Sequence, residues 1–121
     1  MTDREMLELA ARAAEWQLCG YSWIGENEDD DECEILESAF VKTHPEQELA
    51  TKWNPLTDDG DALRLAARLN MDIEINEFFV IVYCPSELDC IRIELEIKEE
   101  KMKTARLVIT MAAAKAGKEM K

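Results

Sequence analysis

The run FFVIVYC at residues 78–84 is continuously apolar, and no other segment restricts the architecture of this chain as tightly. A strand points successive side chains to opposite faces, so an all-apolar strand belongs in the middle of a sheet with cover on both sides. Its neighbours support a sheet. Asp72, Ile73, Glu74 and Ile75 alternate in polarity before it. After it, Cys90 to Lys98 alternates Ile91, Ile93, Leu95 and Ile97 with Arg92, Glu94, Glu96 and Lys98. The five residues Pro85 to Asp89 are of hairpin length, so the second and third of these strands are expected to pair antiparallel.

Three segments carry the helical period instead. Thr2 with Glu5 makes a capping box, followed by Leu7, Ala10, Ala14 and Leu18 at helical spacing, which predicts a helix to about Leu18 closed by Gly20. A second helix is expected over TDDGDALRLAARLN, capped by Thr57 or Asp58, striped by Ala62, Leu65, Ala66 and Leu69, and stopped at Asn70. Met102, Ala105, Ile109, Ala112 and Ala116 mark a third, ending near Gly117 with Lys115, Lys118 and Lys121 set against its dipole. Between the first two helices, Tyr21 to Ile24 reads as a short strand, Ile35 to Lys42 as weak strand or turn, and Thr43 to Pro55 as mostly loop. The expected fold is α+β: one domain over residues 1–121, a small mostly antiparallel sheet, and helices packed on it.

Charge is divided unevenly. The chain carries 27 acids and 14 bases, net −13. Residues 1–61 hold 17 of the acids and four bases, whereas residues 62–121 are balanced at ten of each. Eight carboxylates crowd residues 26–37: Glu26, Glu28, Asp29, Asp30, Asp31, Glu32, Glu34 and Glu37. Ionised carboxylates are too costly to bury unpaired, so this block is expected to be a solvated loop that keeps the protein soluble or meets a basic partner. Direct binding to nucleic acid or an anionic membrane is disfavoured by the same charge. The N-terminal residues carry acids where a secretory signal would carry bases, and no window approaches a membrane-spanning length of apolar residues, so a cytoplasmic location is expected.

Metal and catalytic patterns are weak. Cys19, Cys33, Cys84 and Cys90 contain no CxxC pair, and the sole histidine, His44, precedes a proline far from all four. In a reducing compartment the thiols are expected to be packed and reduced, facing the core. Neither acidic stretch fits a calcium loop, and no phosphate-cradling GxxxxGK[ST] or GxGxxG is present. No nucleophile constellation is indexed, so no catalytic residue, cofactor or metal is expected.

The densest cluster of chemistry-bearing residues is WNPLTDDGD, residues 53–61. One reading is a capped helix start with a tryptophan packed beneath it. The other is a binding corner in which Trp53 stacks on a ring and Asn54, Asp58 or Asp61 takes hydroxyl or amine donors, with Thr57, Asp59 and Arg64 as further binding candidates. The carboxylates would compete with a phosphate for the helix amides, so a phosphate would need Arg64, Arg68, Arg92 or Arg106. At these residues the chain resembles the phage alpha-beta-alpha sandwich domain family, small phage and prophage proteins mostly without assigned activity. The resemblance is carried by WNPLTDDGDALRLAARL at 53–69, flanked by LELAARAAEW and by TARLVITMAAAKAGKEM at 104–120. It implies helices on both faces of a sheet and singles out Trp53, Asn54, Pro55, Asp58, Asp59, Gly60, Asp61, Arg64 and Leu65. The expected function is that of a noncatalytic accessory protein binding a host component, either a host protein with a basic surface met by the acidic face, as an anti-defence inhibitor would, or a small nucleotide held at the Trp53 to Asp61 corner. Edge strands leave room for a homo-oligomer.

Overall fold

A computed structural model describes residues 2–24, 35–83, 90–95 and 100–119. In chain order the elements are α1 (Asp3–Ala14), β1 (Gln17–Ile24), β2 (Ile35–Lys42), β3 (Thr51–Trp53), α2 (Asp59–Arg68), β4 (Asp72–Ile75), β5 (Phe79–Tyr83), β6 (Cys90–Glu94) and α3 (Lys101–Glu119). The fold is α+β. Its strands are divided between two antiparallel three-stranded sheets, ordered β1-β2-β3 and β4-β5-β6.

The first helix stops earlier than its apolar spacing predicts. Thr2 caps it by accepting from the Glu5 amide, but Glu15 takes a left-handed conformation at φ 61° and closes the C-terminus through bonds to the Ala11 and Arg12 carbonyls. Leu18 therefore reaches the core from β1, where it pairs with Val41, and Gly20 sits at an irregularity in the β1–β2 register instead of ending a helix. The coincidence of Leu18 with the helical period concealed a chain reversal made by a residue with no turn signature. Ile35–Lys42, weak by composition, is a full strand of eight residues, and the expected loop before Pro55 contributes the three residues of β3.

The second sheet follows the sequence more closely. β5 lies between β4 and β6, antiparallel to both, with Val80 opposite Ile75 and Ile93, and Val82 opposite Ile73 and Ile91. Val80 and Val82 are fully buried in the common core. Cover on the other face is uneven. Ile81 is buried between its register partners Glu74 and Arg92, the Arg92 guanidinium lies 4.0 Å over the Phe79 ring, and Tyr83 is exposed. Phe78 is not in the strand; its amide donates to the Asn76 side chain in the turn after β4.

One hydrophobic core joins the elements: Leu7, Ala10 and Ala14 of α1, Ala39 and Val41 of β2, Leu65 of α2, and Val108, Ala112 and Ala113 of α3 all belong to it. α1 packs on β1 and β2, α3 packs on β5 and β6, and the two helices pack on each other. Their alanine-rich faces allow close approach, and at Gly117 the backbone of α1 leaves no room for a side chain. A Cβ there would lie 1.9 Å from the Leu9 carbonyl oxygen. Gly117 is thus a packing residue inside α3, which runs on to Glu119, and not its terminator. The thiols also depart from expectation: Cys19 and Cys90 are exposed and free, while Cys33 and Cys84 lie outside the described residues.

Candidate functional site

Trp53 leaves β3 directly into Asn54 and Pro55, and this step positions everything at the corner. The Trp53 ring is 3% exposed and meets Trp16 edge-on at 5.8 Å between ring centres. A ring so enclosed cannot stack on a ligand, which corrects that expectation; its size and apolarity are used for packing. Asn54 is buried as well and acts as a hub. Its side-chain amide donates to the Glu37 carbonyl of β2 at 2.7 Å, its side-chain oxygen accepts from the Leu56 amide at 3.0 Å, and its own backbone amide donates to Asp61 Oδ2 at 2.9 Å. The Asn54 carbonyl accepts from the amides of Thr57 and Asp58. One residue, through its side chain and its backbone, therefore ties β2, the turn and α2 together.

Asp58 is the N-cap of α2, accepting from the Asp61 amide at 3.0 Å; Thr57, the other candidate, is exposed beside it. Asp61 is buried and its second oxygen accepts from the Arg64 guanidinium. Asp59 turns away from its neighbours and pairs with Arg106, whose Nε also donates to the Leu56 carbonyl. The carboxylates of WNPLTDDGD thus have separate tasks: a cap, an anchor under the turn, and a tie to α3.

These residues border an open cleft of about 390 Å³. Asn54, Thr57, Asp58, Asp61 and Arg64 form one wall, and Glu37, Ser38 and Lys52 of the first sheet form the other. Five of the seven corner residues singled out from sequence line it. Trp53 and Asp59 do not. Of the four arginines considered for a phosphate only Arg64 is present: Arg68 is bonded to the Ala14 carbonyl, Arg92 to Glu94, and Arg106 to Leu56 and Asp59. The acidic run from Glu26 through Glu28, Asp29, Asp30, Asp31 and Glu32 to Glu34 lies outside the described residues. Glu37 is its one described member. It sits in β2, not in a solvated loop, where it accepts from Ser22 and pairs with Lys52. The Lys52 bond holds its carboxyl below the usual carboxylate range, outweighing partial desolvation.

Sequence gave no sign of Ser38. It is 3% exposed, lines the cleft, and its hydroxyl has no hydrogen-bond partner among the described residues. Antiparallel pairing of Ala39 with Trp53, carried one step further, places Ser38 opposite Asn54. A single serine in ILESAFVK has no motif to mark it, and only the strand pairing brings it to the corner.

Among the described residues no group of three or more His, Cys, Asp or Glu could hold a metal ion, and no helix is long and apolar enough to cross a membrane.

The chain matches no family model, no curated protein and no solved structure. The task of the corner is therefore read from its own geometry.

Proposed function

We propose that this is a noncatalytic binding protein whose recognition element is the cleft between β2, β3 and the start of α2, and that its ligand is a small polar molecule. One observation supports the reading: the Ser38 hydroxyl, buried at the cleft wall without a partner among the described residues. Leaving such a group unsatisfied costs about 1–3 kcal/mol, a cost that a bound ligand would offset. The cleft volume falls within the span of small-molecule sites, roughly 300–1,000 Å³. The lining offers hydrogen-bonding groups from both walls and no nucleophile placed beside a base.

A thermal-shift screen of small polar metabolites against the unmodified protein and Ser38→Ala tests the proposal. Ser38→Ala removes an unpaired polar atom, so the ligand-free variant is expected to be as stable as the parent or about 1 kcal/mol more stable. The ligand-induced shift is expected to shrink markedly in the variant. A shift that survives unchanged in Ser38→Ala removes the cleft as the site.

A second reading is favoured by the charge division. All the net negative charge belongs to residues 1–61, and a surface of that kind suits docking on a basic protein. The family resemblance adds the context of a phage accessory protein acting on a host component in the host cytoplasm. Capture of a basic partner that weakens steeply between about 50 and 300 mM salt, and is unaffected by Ser38→Ala, would favour this reading over the first.

A further inference from the structure

We infer that the ligand of this cleft is neutral or cationic, presents amine or hydroxyl donors, and carries no phosphate. The inference rests on the cleft being the binding site and adds the chemical class of what it takes. Three carboxylates face the cleft, from Glu37, Asp58 and Asp61, against two cations, Lys52 and Arg64. Both cations are already committed, Lys52 to Glu37 and Arg64 to Asp61. A phosphate would have to break one of these pairs and would then leave the freed carboxylate beside it, a like-charge contact that repels at this range even with solvent screening.

The start of α2, which would otherwise attract an anion, is occupied. The Asp58 carboxylate accepts from the Asp61 amide, so the first turn already has an anion of its own. Acceptor oxygens therefore dominate the walls, and a complementary ligand supplies the donors. Of the two buried side chains without a hydrogen-bond partner among the described residues, Ser38 and Trp53, only Ser38 lines the cleft, and its hydroxyl can donate and accept at once.

The test compares molecules that differ only by a phosphate. Isothermal titration of the full chain at pH 7 uses adenosine against adenosine 5′-monophosphate and glucosamine against glucosamine 6-phosphate, with Ser38→Ala as the control for location. At least one unphosphorylated probe is expected to bind at least tenfold more tightly than its phosphorylated counterpart, and Ser38→Ala is expected to weaken it about tenfold. Tighter binding of a phosphorylated member that is still lost in Ser38→Ala overturns the ligand class and keeps the cleft. Absence of binding by both unphosphorylated probes overturns the class assignment; binding that Ser38→Ala leaves unchanged overturns the site as well.

Discussion

Asn54 shows how one polar residue can be indispensable without being exposed. Its side chain satisfies a strand carbonyl and a turn amide in a setting where water does not readily replace it. Asn54→Ala is therefore expected to cost about 2–6 kcal/mol, since two buried or half-buried partners lose their bonds at about 1–3 kcal/mol each. Urea unfolding followed by circular dichroism measures it; a loss under 1 kcal/mol would mean the turn holds without the hub. Titration at two other residues has the opposite sense. Burial, reinforced by donation to Glu8, pushes the Tyr21 hydroxyl up to about 12, from its ordinary 10.0. Its folded value is the higher one, so its contribution is complete below pH 10 and is lost as pH rises toward 12. Glu37 is depressed, so its contribution is present above its ordinary 4.5 and is lost as pH falls through its folded value. Unfolding midpoints should fall at both extremes, with Tyr21→Phe flattening the alkaline limb and Glu37→Gln the acid one. Of the corner, the sequence disclosed which residues are unusual but not which are enclosed. Trp53 and Asn54 have the composition of a ligand platform, and only the pairing of β2 with β3 buries them.

At the level of elements, the long periodic segments were legible and the short ones were not. α2 and the β4–β6 meander have patterns that composition alone identifies, because each buries one regular stripe. α1 was overextended, because a left-handed Glu15 is not a residue choice that announces a helix end. β3 is three residues long and takes its conformation from β2, a long-range contact with no local signature. Gly117 reads as a stop because glycine ends helices more often than it lies within them. Its role inside α3 makes a sharp prediction. Gly117→Ala replaces a poor helix former with the best one, which by propensity alone would stabilise α3 by about 1 kcal/mol. The new methyl must instead displace the Leu9 backbone, so a net loss of about 1–3 kcal/mol is expected. Stabilisation on urea unfolding would show that the two helices do not meet there.

For the whole molecule the net charge of −13 opposes compaction, and the opposition comes from the first 61 residues. Raising NaCl from about 20 to 200 mM screens this repulsion and should raise the thermal midpoint, whereas a chain held by surface ion pairs would weaken. Neutralising several of Glu28 to Glu34 by amide substitution should remove most of that salt response if the acidic block is its source. The division of charge is visible in the sequence. What pattern reading could not supply is that the strands form two sheets joined through a pair of helices, because no local period encodes which strands share a ladder.

The contact between Leu9 and Gly117 also joins two helices that are far apart in the sequence. Closing so long a stretch of chain costs entropy before the packing of the two helices rewards it, so docking of α3 on α1 is expected to be a slow step of folding. Until that step Leu7, Ala10 and Ala14 lack part of their cover, and the excess negative charge of the chain is expected to hold incompletely folded copies apart.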